Sequence, residues 1–239
     1  MPLIRYLPWD SRFFGIKIGQ ITARRLTRLS LCQIRQKAKQ HRFKCLYLVL
    51  EKQSKKIQTL LQSNRLILVD CKTTLAKRLL VTKKQSTEVG SIVCFQKRYL
   101  RDLIRISGNV ISRESRFSVD SKFGRKSAKK LYEEWVKRSV LQSYARQALI
   151  CERGKRAVGL LTLRQKKAGM YIDLFGVDRP YQGKGIGRAL LQAAEVWAKS
   201  KKIKLLKVVT QKKNKTALRA YRAQGFRIVS EHPFYHWWL

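Results

Sequence analysis

Between Gln182 and Arg188 the chain reads Gln-Gly-Lys-Gly-Ile-Gly-Arg, with glycine at Gly183, Gly185 and Gly187. Glycines let the backbone come close to a guest and turn successive N–H groups outward. Ala189, Leu190, Leu191, Ala194, Val196 and Trp197 follow at helical spacing. The loop therefore opens a helix, whose N-terminus carries about half a positive charge. Lys184 and Arg188 add full charges. The chemistry of such a unit is anion binding, and a pyrophosphate is its natural guest. The loop has neither the G-x-G-x-x-G spacing with a later acid of a dinucleotide site nor the G-x-x-x-x-G-K-[ST] of a Walker loop. Alone, it also reads as a structural strand-to-helix turn.

The elements that must position this loop surround it. Gly169 to Val177 reads as a strand entering it, and Lys204 to Thr210 as the strand after its helix. Asn214 is placed to cap or begin a further helix. Tyr221 lies two turns along, roughly on the same face, and Gly225 stops the helix. Upstream, Ser91 to Phe95, Gln147 to Cys151 and Ala157 to Leu163 read as strands, and Lys97 to Gly108 and Ser127 to Leu141 as helices. Ser112 to Gly124 reads as a polar surface loop. Phe226 to Val229 and Phe234 to Leu239 read as closing strands.

Before residue 90 the pattern is again α/β. After a break at Pro8-Trp9-Asp10, Ile16, Ile18 and Ile21 alternate as in a strand. Leu29 to Gln40 reads as a helix with Ser30 as cap, Cys45 to Leu50 as a buried strand, and Ser54 to Gln62 as a short helix capped by Ser54. Leu66 to Val69 and Leu75 to Val81 read as two strands or one bent strand. Lys83 to Glu88 is polar and reads as a linker. The expected organisation is an N-terminal α/β domain over 1–85 and a larger α/β domain over 90–239.

Composition bounds the rest. The chain has 239 residues, 44% hydrophobic and 10% aromatic, as a folded globule requires. Its 54 Lys+Arg against 14 Asp+Glu give a net charge of +40. The basic residues are spread along the whole length. They suit polyanionic small molecules and nonspecific contact with nucleic acid. No zinc-finger, RNP-like or helix-turn-helix pattern accompanies them. The five cysteines, Cys32, Cys45, Cys71, Cys94 and Cys151, form no CxxC pair and read as reduced, buried thiols. His41, His232 and His236 make no metal pattern, so no metal is expected. No run of about 20 apolar residues is present to span a membrane. The first residues, MPLIRYLPWD, lack a signal-peptide core, and the expected location is cytoplasmic.

The Gln-Gly-Lys-Gly-Ile-Gly loop, with its strand and helix, resembles the signature of the GNAT acyltransferases. Three further stretches are similar to dTDP-fucosamine acetyltransferases within that family. They are Trp9-Asp10-Ser11-Arg12-Phe13-Phe14-Gly15, Ser115-Arg116-Phe117 with Tyr132 and Trp135, and Thr210-Gln211 with Asn214, Ala217-Leu218 and Tyr221. The resemblance spans nearly the whole chain. It implies a GNAT fold over 90–239, preceded by a smaller α/β unit that suits a partial second copy. It implies acetyl-CoA as co-substrate, with Gln182, Gly183, Lys184, Gly185, Ile186, Gly187 and Arg188 around the pyrophosphate. Phe175, Gly176 and Val177 would pair with the pantetheine arm, and the Asn214 amide would bind CoA. It implies Tyr221 as the acid that protonates the leaving thiolate, a role open to a phenol with an ordinary pKa of about 10. Arg116, Phe117 and Phe14 are the candidates for the acceptor site. A guanidinium suits phosphate, and a ring can stack on a base. Core or loop-anchor roles for them stay open.

The expected reaction is acetyl transfer to a primary amine, the favoured acceptor being a dTDP-linked 4-amino-4,6-dideoxysugar. A GNAT acting on a protein N-terminus, a lysine or a small amine, and a nucleic-acid-binding protein with a non-catalytic GNAT fold, are the alternatives. Asp173, Glu133 and Glu134 are the acids near the motifs. A water-relayed base, or none, is equally open, and a homodimer is compatible with the sequence.

Overall fold

The strongest apolar run, Cys-Leu-Tyr-Leu-Val-Leu, forms a strand that is buried along its whole length because both faces of the sheet are covered there. The computed structural model describes residues 3–24, 26–79, 91–166 and 169–239. The proposed linker, Lys83 to Glu88, lies outside the described residues.

In chain order the strands are β1 (Arg5–Tyr6), β2 (Ile18–Ala23), β3 (Cys45–Leu50), β4 (Ile67–Arg78), β5 (Ser91–Cys94), β6 (Gln147–Arg153), β7 (Arg156–Lys166), β8 (Gly169–Val177), β9 (Leu205–Gln211) and β10 (Arg227–Trp238). The helices are α1 (Pro8–Phe14), α2 (Arg28–Gln40), α3 (Lys55–Ser63), α4 (Leu100–Asn109), α5 (Arg116–Val119), α6 (Gly124–Leu141), α7 (Ile186–Ser200) and α8 (Lys215–Ala223). The strands form a single 10-stranded sheet in the order β1-β2-β3-β10-β4-β9-β8-β7-β6-β5. Among the described residues, only β2–β3 and β8–β9 are parallel pairs. The last strand, β10, sits between β3 and β4, so that Phe234 faces Val49 on one side and Asp70 on the other. Strands from before and after residue 90 are thereby interleaved.

Along β3, Leu46, Leu48 and Leu50 face α2 and α3, while Cys45, Tyr47 and Val49 face an aromatic cluster with Phe117, Phe123 and Phe234. A third cluster packs α7 and α8 on β6 to β9 through Leu190, Leu191, Leu218 and Tyr221. None of the described helices is long and apolar enough to cross a membrane.

The structure corrects several local readings. Pro8 starts α1 instead of breaking the chain, because proline suits the first helical turn. Thr27, not Ser30, caps α2, with Ser30 closing the capping box. Of the two readings for Leu66 to Val81, the single strand is the one found, as β4, with Leu80 and Val81 outside the described residues; β10 is also one strand rather than two, accommodating Pro233 with register shifts at Ile228/Ser230 and Phe234/Tyr235. Ser112 to Gly124 is not a surface loop: Ser112, Ser115, Phe117, Asp120 and Phe123 are all buried. Cys32 and Cys94 are exposed, whereas Cys45 and Cys151 are buried.

Candidate active site

Parallel strands β8 and β9 pair only from Met170↔Leu206 to Ile172↔Val208. Beyond that point β8 continues to Val177 and β9 to Gln211, and the unpaired ends part around a cleft of about 490 Å³. Phe175, Gly176, Val177, Gln182, Gly183, Gly187, Asn214 and Tyr221 all line it. The loop between β8 and α7 is clasped to its strand. Gln182 Nε2 donates to the Val177 carbonyl at 2.9 Å. Gly183 and Gly185 have φ of +76° and +77°, a region that favours glycine. Helix α7 has no side-chain cap and no acid in its first turn. Thr27, Ser54 and Asn214, by contrast, cap α2, α3 and α8. The N-terminus of α7 thus presents free N–H groups and partial positive charge to the loop, as an anionic guest requires. Ile186 is buried and Lys184 and Arg188 are exposed; none of these side chains lines the cleft.

Asn214 Oδ1 accepts from the Ala217 amide at 3.0 Å, so the side chain that begins α8 also stands in the cleft wall. Tyr221, two turns on, is 4% exposed. Its ring lies 5.7 Å from Phe175 and 5.8 Å from Phe226. Burial pushes the phenol above its ordinary value, so it holds its proton at neutral pH.

A second cavity, of about 670 Å³, shares Val209, Thr210 and Gln211 with the first. Its other walls include Asp10, Tyr47, Asp70, Lys72, Arg116 and Phe234. Arg116 lies over the Phe117, Phe234 and Tyr47 rings at 4.2, 4.7 and 5.3 Å. Its Nε is buried without a partner, and it makes no ion pair among the described residues. Burial raises the Asp70 carboxyl to about 6, against the Cys71 amide, Arg116 and Lys213. Burial likewise raises Asp10, and it lowers Lys72 together with the repulsion of Arg116. Phe117 is fully buried behind Arg116, and Phe14 packs on Phe117 and Phe123; neither lines the cavity.

Behind that wall, Asp120 accepts from His236 Nδ1 at 2.7 Å, Trp238 Nε1 at 2.9 Å and the Lys122 amide at 3.0 Å. Burial works to raise Asp120, but these bonds outweigh it and hold the carboxyl below its ordinary value. Burial pushes His236 down to about 4, against the pull of Asp120. The ring is therefore neutral, and its Nε2 has no partner. This network ties the segment that carries Arg116 to β10.

Of the acids read as possible bases, Asp173 is held by Arg164 at 2.8 Å and by Lys166 at 3.5 Å. Glu133 and Glu134 line neither cavity. Asp70 and Lys72 escaped the sequence reading. Their one signal is two charges, spaced two apart, within a strand whose Val69 and Leu75 are buried.

Residues 113–226 match the family model of the GNAT acetyltransferases. Over these residues, just under half of the chain, the sequence carries a GNAT acetyltransferase domain. The GNAT assignment agrees with the fold. A functionally unknown conserved protein from Staphylococcus epidermidis superposes with a TM-score of 0.68 at 15% identity, over 97% of this chain and 90% of that one. A GCN5-related N-acetyltransferase from Sphaerobacter thermophilus gives 0.61 at 15% identity, over 98% and 75%. In sequence, the spore coat polysaccharide biosynthesis protein SpsD of Bacillus subtilis is 26% identical over 125 residues. That alignment takes in 52% of this chain and 43% of SpsD, less than half of the relative's length. Among the described residues no group of His, Cys, Asp and Glu is arranged to hold a metal ion.

Proposed function

We propose that this chain transfers the acetyl group of acetyl-CoA to the primary amine of a nucleoside-diphosphate-linked amino-deoxysugar, a dTDP-linked one being favoured. The observation that carries the reading is the pair of cavities meeting across Val209 to Gln211, with Tyr221 beside one and an unpaired Arg116 in the other. The cleft between β8 and β9 would take the CoA arm, with the pyrophosphate on the amides of Gly183 to Arg188. Backbone groups at Phe175 to Val177 would steer the thioester, and the Asn214 amide would bind the arm. The second cavity would take the acceptor. Arg116 offers its guanidinium to a diphosphate, a charge-assisted contact, since no carboxylate among the described residues forms an ion pair with it. Tyr221, protonated at neutral pH, would give its proton to the departing sulfur. On this reading the 90–239 part supplies the CoA site, and the 1–85 part supplies Asp10, Tyr47, Asp70 and Lys72 to the acceptor site. SpsD, whose name places it in polysaccharide biosynthesis, supports a sugar acceptor.

The test is acetyl-CoA-dependent release of free thiol across nucleotide-linked amino sugars, free amino sugars, polyamines and peptides. Turnover on the nucleotide-linked amino sugars above all others is expected. Preference for another amine would discard the acceptor while keeping the cleft and Tyr221. Tight DNA binding with no affinity for acetyl-CoA would overturn the enzymatic reading altogether.

A further inference from the structure

We infer that Asp70 receives the ammonium group of the acceptor and takes up the proton it must shed before attack. The inference rests on the acetyl-transfer reading above and adds the residue that makes the acceptor nucleophilic.

The placement argument runs along the sheet. β4 is the antiparallel neighbour of β9, with Lys72 opposite Gln211 and Thr73 opposite Thr210. Side chains alternate along a strand, so Asp70 and Lys72 share a face, about 7 Å apart along β4. That face is the floor of the acceptor cavity, and it abuts the wall shared with the CoA cleft. The electrostatics reach across the same junction. Tyr132 lines the CoA cleft; burial raises its phenol most, with Arg116 lowering it and Asp70 and Asp173 raising it further.

The other candidates are engaged elsewhere. Asp173 is already paired with Arg164 and Lys166. Asp120 holds His236 and Trp238 behind the wall. Asp10 lines the same cavity but comes from α1, not from β4, the strand paired with β9, and it faces the cations of Arg116 and Arg5. His232 shares the cavity, with Nδ1 on the Leu50 carbonyl at 3.2 Å. The groups facing Asp70 are Arg116 from α5, Lys213 after β9, Lys72 on its own strand, Asp10 from α1, His232 from β10, and Glu51 and Lys52 after β3. Neither Lys213 nor Arg116 forms an ion pair with Asp70. The carboxylate is left for a cationic guest, and an amine is the guest that the reaction supplies.

The step balances. The carboxylate takes one proton from the ammonium, leaving a neutral amine. The nitrogen lone pair forms the C–N bond at the thioester carbonyl, and the C–S bond breaks. Tyr221 gives its proton to the sulfur and regains one, through solvent, from the acylated nitrogen. Asp70 then releases its proton to solvent, so the reaction yields amide, free CoA thiol and one proton. Desolvation makes Asp70 a better proton acceptor than an exposed carboxylate, and it is ionised above about pH 6.

The experiment compares wild type with Asp70→Asn and Asp70→Glu, using the best amine of the acceptor panel. The readouts are kcat/KM against pH, KM for acetyl-CoA and thermal melting. The expected result for Asp70→Asn is a loss of about 100-fold in kcat/KM for the amine, with KM for acetyl-CoA within about twofold. The acid limb of the wild-type profile, near pH 6, disappears. Asp70→Glu restores part of the rate and the limb. An Asp70→Asn protein that melts cooperatively and keeps the wild-type rate, or keeps the acid limb, overturns the inference while the acetyl-transfer reading stands. Wild-type turnover on an amine other than a nucleotide-linked sugar discards that acceptor and leaves the Asp70 comparison valid. Absence of wild-type turnover on every amine overturns both.

Discussion

Replacing Tyr221 by Phe removes one oxygen from a site built of rings. The side chain is 4% exposed and rests against Phe175 and Phe226, contacts that phenylalanine keeps. The change in stability should stay within about 1 kcal/mol. The rate should not be spared. Loss of a positioned general acid costs about 10²–10⁴-fold, which is about 3–5 kcal/mol of barrier. The Asn214 contact, the glycine loop and the α7 N-terminus are untouched, so affinity for acetyl-CoA should change by less than about twofold. Because burial holds the wild-type phenol above its ordinary value, ionisation of Tyr221 should not depress kcat between neutral pH and about pH 9. Thiol release under saturating acetyl-CoA gives kcat, and calorimetric titration gives the affinity. A Tyr221→Phe enzyme within about threefold of wild type in kcat would refute the general-acid role. A parallel collapse of acetyl-CoA binding would show that the phenol holds the substrate instead.

Three more outcomes are expected. Gly185→Glu forces a non-glycine residue to φ +77° and puts a carboxylate where the anion should sit; titration should show acetyl-CoA affinity reduced at least about tenfold. Asp120→Ala strips the partners from buried His236 Nδ1 and Trp238 Nε1, and denaturant unfolding should report a loss of about 2–5 kcal/mol. Asp70→Asn should be more stable than wild type at pH 7, by up to about 3 kcal/mol, because the raised carboxyl is ionised there at a cost that Asn avoids. The sign follows from linkage: native Asp70 keeps its proton to about pH 6, whereas the unfolded chain loses it near 3.8. The advantage should therefore shrink as pH falls through 6 and vanish below about 4 in melts across pH; an advantage that persists in acid would assign it to packing.

The motif-bearing half was legible because its signals are local. A nine-residue strand, a glycine loop and an amphipathic helix stand consecutively in β8 and α7, and Asn214 caps α8 as its spacing predicts. The second cavity was only partly legible, because β10 enters the sheet between β3 and β4 and no local pattern announces that pairing. Pro233 hid the continuity of β10, since proline cannot donate to a ladder and normally marks a strand's end. Ser112 to Gly124 looked exposed because its serines and aspartate are polar. Ser112, Ser115 and Asp120 are nevertheless buried, with Ser112 bonded to the Gly108 carbonyl and Asp120 to His236 and Trp238. Arg116 was found through resemblance. Asp70 was not, because a single acid in a strand carries no motif.

The central claim is acetyl transfer across the wall where the two cavities meet, and product analysis addresses it most directly. The full chain would be incubated with acetyl-CoA and a dTDP-linked amino-dideoxysugar, and the nucleotide-sugar fraction resolved by mass spectrometry with and without enzyme. The account predicts an enzyme-dependent N-acetylated nucleotide sugar, formed in equal amount to the CoA thiol released. Recovery of unmodified nucleotide sugar, while the same preparation acetylates a different amine or none, would contradict it.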